Sequence, residues 1–348
     1  MKLLLVLLLL FSFVDKSNKK ETNYVANSFI VMEQRTNNIL EGYNYYKTQS
    51  VASISKIMTG ILAIEYLDLD QKVYVDDCID KAYGSAVYLK KGTWISNEDL
   101  IYGLMLRSGN DCALMIAKSV CNSYDKFIDL MNEKAKEIGM NYTTFVNPHG
   151  LDEEDGGNLS CAYDMALLQT YALQNETYRL ITSSKTYKSE NYGIWINKNK
   201  LLNQYFFAIS GKTGYTKKAK RTLVTSAKKD NLELTIVTLN CGGDFAYHKQ
   251  LYEKHFDIYG SKLIVEKGEL RILDYLTYID EDIYYFARKE DLEKLKVLIE
   301  INKNKNEGKI YILIDNNKEM IASFKCVKGE RKNTLWDLFY KTWKEMIV

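Results

Sequence analysis

Proline is all but missing from this chain, at one residue in 348, and so is any surplus of charge, since 47 Lys and Arg face 45 Asp and Glu for a formal net charge of +2. That balance excludes the broad cationic surface of a nucleic-acid binder and the long acidic tail of a solvated interaction segment. The six cysteines, Cys78, Cys112, Cys121, Cys161, Cys241 and Cys326, never fall in Cys-x-x-Cys spacing, which argues against a zinc site or a thioredoxin-like motif. Cys112 and Cys121 stand nine apart in what reads as one helix, so they point to opposite sides and should not bond to each other. Most of the six are expected to be small buried hydrophobes. No internal repeat or long low-complexity tract is present, and the abundance of Lys, Asn, Ile and Tyr is a compositional bias without functional content.

No apolar run is long enough to span a bilayer comfortably. The run Leu3 to Phe11 after Lys2 instead has the shape of a secretory signal, with a short basic start and an apolar centre. The alternative is a buried N-terminal helix, but nine consecutive apolar residues leave no polar face. Residues 1–22 are therefore taken as a signal peptide or leader; no Ala-x-Ala-like site or lipid-attachable cysteine follows, so its removal stays open. At this length the chain should hold a sizeable core and a second unit.

Ser28 to Met32 and Ile39 to Asn44 flank Thr36-Asn37-Asn38 and read as a strand pair around a polar turn. Helical signals dominate from Ile54 to about Leu173. Strands return at Thr222 to Ala227 and Leu232 to Leu239, the latter alternating Leu232, Leu234 and Ile236 with Glu233 and Thr235, and a helix follows near Ala246 to Tyr259. Strands first, helices inserted and strands last imply an α/β sandwich in which the outer segments share one antiparallel sheet flanked by helices. After Gly260 short strands between charged turns, at Lys262 to Val265, Ile283 to Ala287, Leu295 to Ile301, Lys309 to Ile314 and Ile321 to Val327, suit a small all-β module. The expected divisions are 23–261 for the first domain, 262–330 for the β-rich domain and 331–348 for a terminal helix. In that helix Leu335, Trp336, Leu338, Phe339, Trp343, Met346 and Ile347 share one face opposite Asp337, Lys341, Lys344 and Glu345, the pattern of a helix lying in a membrane interface. Docking on the protein or a partner is the alternative.

Chemistry is concentrated in Val51-Ala52-Ser53-Ile54-Ser55-Lys56-Ile57-Met58. Ile54, Ile57, Met58, Ile61 and Leu62 recur at helical spacing, so Ser53 and Lys56, three apart, lie on one face, whereas Ser55 and Lys56 point apart. A serine hydroxyl needs a base, and a lysine serves only if burial or a nearby cation keeps it neutral; a helix N-terminus, with its positive dipole, suits that depression. The same spacing recurs at Ser17/Lys20, Ser123/Lys126 and Ser226/Lys229, so spacing alone is weak. Ser17 lies in a polar run, Ser123 reads as a helix N-cap and Ser226 lies near a strand end; Ser53 alone opens a long apolar helix.

Two further motifs decide the case. Leu106-Arg107-Ser108-Gly109-Asn110-Asp111 is a polar turn between apolar-periodic helices, offering a hydroxyl and an amide together, although Ser189 to Asn191 shows how common Ser-x-Asn is. Ser210-Gly211-Lys212-Thr213-Gly214-Tyr215-Thr216 holds the single Lys-Thr-Gly of the chain, with glycines that let a strand approach a ligand. Ser53-x-x-Lys56, Ser108-Gly-Asn110 and Lys212-Thr-Gly214, in this order, resemble the signature of serine penicillin-binding proteins and the related β-lactamases. Asn147 to Asp152 and Ala162 to Ala166 resemble the loop and helix of low-molecular-mass D-alanyl-D-alanine carboxypeptidases.

The resemblance implies a penicillin-binding/β-lactamase-like sandwich with an inserted helical subdomain, a small C-terminal all-β domain and an amphipathic membrane anchor. It assigns Ser53 as the acylated nucleophile and Lys56 as its base, with Ser108 and Asn110 relaying protons and holding the substrate amide. Lys212 keeps the site electropositive and disfavours a second charge on Lys56, Thr213 helps bind the terminal carboxylate, and the N–H groups of Ser53 and Tyr215, past Gly214, form the oxyanion hole. The implied substrate is a peptidoglycan stem peptide ending in D-Ala-D-Ala, mimicked by β-lactam antibiotics, with no cofactor, metal or nucleic acid, at the extracytoplasmic face of the bacterial membrane. In two places the chain departs from relatives: Lys220 rather than glycine follows Ala219, and Asp244 rather than arginine follows Gly242-Gly243; both bear on substrate affinity. A β-lactamase is the alternative hydrolase, but the Glu-x-x-Leu-Asn element of that class is missing. A catalytically silent wall-binding protein is the non-enzymatic alternative. His149 in its Pro-His-Gly turn reads as structural rather than as a base, and His248 and His255 are expected on a surface helix.

Overall fold

The computed structural model describes residues 25–152 and 156–329; the expected leader 1–22 and terminal helix 331–348 lie outside the described residues. Strands β1 (Ala26–Glu33) and β2 (Ile39–Tyr43) form a hairpin whose turn places Asn37 in the left-handed region. The chain then builds helices α1 (Lys56–Tyr66), α2 (Asn97–Tyr102), α3 (Asn110–Cys121), α4 (Tyr124–Ile138), α5 (Ala162–Ala172) and α6 (Glu176–Ser183). It returns through β3 (Ala208–Thr216), β4 (Lys220–Lys229) and β5 (Leu232–Cys241), and ends this unit with α7 (Asp244–Ile258). The five strands make one antiparallel sheet in the order β2-β1-β5-β4-β3. The outer segments therefore share a sheet, as their positions in the sequence imply, and β3 lies at one edge.

Alternation along β1 marks two buried faces rather than an inside and an outside. Ile30 and Met32 join the core under α1, α3 and α5, while Phe29 and Val31 join a second core with Leu251, Tyr252 and Phe256 of α7. Thr235 of β5, which alternates with Leu234 and Ile236, is fully buried as well and bonds both Ser226 and Gln34. Ser226 itself lies within β4 rather than near its end. Helix α7 keeps an exposed face, but the two histidines are not on it: His248 is fully buried, bridging Thr225 on β4 and Thr238 on β5, and His255 is buried against Glu41. Polar sheet residues supply partners for both nitrogens of His248 and for Nε2 of His255, while among the described residues His255 Nδ1 has none.

Helix α1 is buried on every side from Lys56 to Ala63. Burying Ile57, Met58 and Ile61 contributes roughly 1.5–3 kcal/mol each, and Gly60 packs so tightly that an added Cβ would stand 2.9 Å from Met105 Sδ. The turn Ala52–Ser55 thus leads into a helix buried on every side. Ser123 caps α4, its hydroxyl accepting from Lys126 N. All six cysteines are free.

Beyond α7 come β6 (Tyr259–Val265), β7 (Gly268–Ile272), β8 (Tyr275–Ile279), β9 (Ile283–Arg288), a short helix α8 (Lys289–Lys294), β10 (Lys296–Asn302), β11 (Glu307–Ile314) and β12 (Asn317–Lys325). The hairpin β7–β8, which the sequence reading lacks, turns at Leu273 with φ of 54°. A leucine is an unusual residue for that conformation, so the turn carries no compositional mark. No helix among the described residues is long and apolar enough to cross a membrane.

Candidate active site

The serine and lysine of the first motif meet, but not in an α-helical turn. Ala52 to Ser55 form a 3-10 turn that runs into α1 at Lys56, and in that tighter geometry positions i and i+3 eclipse. Lys56 Nζ lies 3.1 Å from Ser53 Oγ, whereas Ser55 Oγ is turned away to donate to Ala52 O. Nζ also lies 2.6 Å from Asn110 Oδ1 and 2.5 Å from the carbonyl oxygen of His149. A neutral amine has two N–H bonds and one lone pair. When Lys56 is neutral and donates both N–H groups to the Asn110 and His149 oxygens, its lone pair is free to accept from Ser53 Oγ.

Burial pushes the Lys56 amine down to about 7, with the nearby Lys198 charge as the second cause. Lys198 thus adds to the repulsion expected between Lys56 and Lys212, which acts on both amines. Lys212 is itself buried, donating to Ser108 Oγ at 3.0 Å and to Thr213 O at 2.9 Å, and burial, then the charges of Lys56 and Lys198, hold it well below the ordinary lysine range. Lys198 gave no signal in the sequence: it lies outside every motif, in the segment before β3.

The second motif is held by backbone strain. A π-helical turn, Gly103–Arg107, ends at Ser108 with φ of 63°, a left-handed serine of the kind that persists where the surroundings over-determine it. Asn110 opens α3, its Nδ2 donating to Tyr83 O, while its backbone N–H donates to Ser85 O at 2.7 Å. Asp111 accepts from the N–H groups of Val87 and Leu89, fixing the segment that brings Ser85 to the cleft.

The loop after Pro148 is equally specified. Asn147 Oδ1 accepts from Gly150 N at 2.6 Å, Thr59 Oγ1 donates to Pro148 O, and His149 presents its carbonyl to Lys56 while its ring accepts from Leu151 N at 3.2 Å. Burial holds the imidazole down to about 3, consistent with the structural reading of this residue. Gly150 has φ of 78°, and a Cβ there would stand 2.2 Å from Ala52 O. Gly150→Ala should therefore displace the Ser53 turn, costing at least about 2 kcal/mol of stability together with most of the reactivity of Ser53; thermal unfolding and a serine-reactive probe would measure both.

Strand β3 closes the site. Thr222 Oγ1 donates to Val51 O, and a Cβ on Gly214 would lie 3.0 Å from Ser53 N and 3.1 Å from Ile54 N, so this strand and the turn touch through bare backbone. Lys212, Thr213 and Gly214 lie opposite Val224, Leu223 and Thr222 of β4. Tyr215, whose side chain is 62 % exposed, pairs with Arg221. Ser53, Ser108, Thr213, Gly214 and Tyr215 line one cleft with Lys198, Arg221 and Asp244. All eight residues expected from the motifs therefore converge.

Arg221 and Asp244 are the additional finding. Asp244 is buried and accepts a bidentate pair from Arg221, Nε at 3.1 Å and Nη2 at 2.8 Å, with the guanidinium 5.6 Å from the Phe245 ring. The departure after Gly242-Gly243 is thus matched by an arginine on the adjacent strand, held toward the cleft by the very aspartate that departs. Among the described residues no cluster of metal-ligating side chains occurs.

The D-alanyl-D-alanine carboxypeptidase family matches residues 15–243. The D-alanyl-D-alanine carboxypeptidase DacF of Bacillus subtilis is 31% identical over 320 residues, covering 84% of this chain and 81% of its own. The crystal structure of a D-alanyl-D-alanine carboxypeptidase from Mycobacterium tuberculosis superposes with a TM-score of 0.63 at 29% identity, over 66% of this chain and 90% of that one. Penicillin-binding protein 5 from Haemophilus influenzae, at 24% identity, shares the fold over 88% of this chain and 98% of its own, with a TM-score of 0.72.

Proposed function

Since this chain belongs to the D-alanyl-D-alanine carboxypeptidases, serine hydrolases of peptidoglycan maturation with a penicillin-binding fold, we propose that Ser53 is its nucleophile and Lys56 the base that activates it. The observation that carries this reading is the buried Lys56 amine, with Nζ 2.6 Å from Asn110 Oδ1, 2.5 Å from the His149 carbonyl oxygen and 3.1 Å from Ser53 Oγ.

Lys56 takes the Ser53 proton as Oγ attacks the carbonyl between the two D-alanines. The oxyanion is met by the N–H groups of Ser53 and Tyr215; one such donor is typically worth a factor of about 100–1,000 in rate. As the C–N bond breaks, the proton taken up by Lys56 is relayed through Ser108, bonded to Lys212, to the departing D-alanine nitrogen, which returns Lys56 to the neutral amine. Water then attacks the ester, giving its proton back through Lys56, and Ser53 leaves as the hydroxyl. Asn110 holds the acyl-side amide of the substrate. Thr213 and Arg221 receive the terminal carboxylate, a charge-assisted contact that planar guanidinium geometry favours.

Incubation of the wild type with fluorescent penicillin should give a covalent adduct on the peptide containing Ser53, and D-alanine should be released from diacetyl-Lys-D-Ala-D-Ala; an adduct on another serine would contradict the assignment. Arg221→Gln is expected to raise KM for that peptide about 10- to 100-fold, as for a lost hydrogen bond to a charged group, with a much smaller effect on its C-terminal amide; steady-state kinetics on the two substrates checks this. The remaining parts of the reading are export by residues 1–22, a catalytic unit over 23–261, a β-rich unit over 262–330 and an interfacial helix over 331–348 that holds the enzyme to the outer face of the membrane. Deleting 331–348 should move the protein from the membrane to the soluble fraction on sedimentation.

A further inference from the structure

On the side of Ser53 where Asn110 and Tyr215 stand, the cleft is bordered by Arg107 and Lys198. Two ties set them side by side. The backbone N–H of Lys198 donates to Leu106 O at 3.1 Å, and Arg107 Nη1 donates to Ile196 O at 3.2 Å. Lys198 Nζ reaches across to Ser85 Oγ at 3.2 Å. Burial and the neighbouring Arg107 charge hold the Lys198 ammonium below the ordinary lysine range. Among the described residues neither cation has a carboxylate within ion-pair distance, and no acidic side chain lines this part of the cleft. Lys198 also lines the part of the cleft that holds Arg221 and Asp244, where Asp244 is taken by Arg221. Among the described residues these two like charges have no counter-charge, and an entering anion relieves their repulsion.

The substrate fixes which anion reaches this rim. With its terminal carboxylate at Thr213 and Arg221 and its acyl amide at Asn110, the chain leaves past Tyr215 toward Arg107 and Lys198. An extended chain advances about 3.3–3.6 Å per residue, so the residue preceding D-Ala-D-Ala presents its side chain here. We propose that Arg107 and Lys198 form a subsite for a side-chain carboxylate on that third residue, so that stem peptides carrying a diamino dicarboxylic acid are preferred over those carrying lysine. This rests on the catalytic reading above, with Ser53 as nucleophile and Asn110 on the acyl side.

The test compares meso-diaminopimelyl-D-Ala-D-Ala with Lys-D-Ala-D-Ala, identically capped at the α-amine, by D-alanine release from the full chain. The wild type should favour the diaminopimelyl peptide in kcat/KM by about 10-fold or more, the scale of one hydrogen bond between charged groups. Arg107→Gln should bring the ratio below about 3, and Arg107→Lys, which keeps the charge, should retain most of it; penicillin labelling of both variants verifies that they are folded. Equal rates on the two peptides, or a preference that survives Arg107→Gln, would overturn the subsite alone. Absence of D-alanine release from both peptides by the wild type would overturn the subsite and the catalytic reading together.

Discussion

Ser53→Ala is expected to lose D-alanine release by a factor on the order of 10⁴ or more and to take up no covalent penicillin, whereas Ser55→Ala keeps both activities. The size follows from removing the atom that forms the intermediate, after which only binding and the oxyanion donors remain. The contrast between the two serines follows from geometry: Ser53 Oγ faces Lys56 Nζ at 3.1 Å, while Ser55 Oγ bonds within its own turn to Ala52 O at 2.9 Å. The Ser53 hydroxyl makes one further, long contact of 3.4 Å to the His149 carbonyl, so its loss should move the thermal midpoint by only about a few degrees. Mass spectrometry of the labelled variants with turnover assays decides it, and a labelled Ser53→Ala protein would remove this residue from the mechanism.

Lys56→Met is expected to lower both penicillin acylation and peptide turnover by about 10²–10⁴, the range for a positioned general base. It also strips the Asn110 and His149 oxygens of their buried donor, at a cost of about 1–3 kcal/mol per unsatisfied group. The pH dependence of stability gives an independent signature. The folded-state pKa of Lys56, about 7, lies below the ordinary lysine value near 10.4, so between these values the unfolded chain binds more protons than the native one. By linkage this group makes stability rise with pH through that window, while below about 7 its penalty is constant. The slope should be present in the wild type and reduced in Lys56→Met, as read from denaturant unfolding at several pH values.

The parts of the site legible in the sequence share one property: local spacing is enough to find them. Ser53 and Lys56 meet because three residues make one turn, and Ser108 and Asn110 share one strained connection into α3. What stayed hidden depends on pairing across the sheet or on loops. Arg221 acquires meaning only when β4 sets it opposite Tyr215, and Asp244, read from the chain as a departure, is the group that aims it. Lys198 lies in a connecting segment with no periodicity to mark it. The buried histidines of α7 were misplaced for a related reason, since the threonines that receive His248 come from strands 10 and 23 residues away. The sheet that unites the outer strands was legible because strand character at both ends of a helical stretch leaves few other ways to pair. The β7–β8 hairpin was missed because its turn rests on a left-handed leucine.

The neutral amine at Lys56 is the centre of the account, and the pH dependence of the second-order rate of penicillin acylation tests it most directly. The rate should rise with pH through an apparent pKa near 7 and then level, and this acidic limb should disappear in Lys56→Met. A wild-type rate that keeps climbing toward pH 10, as an unperturbed lysine would require, would contradict it.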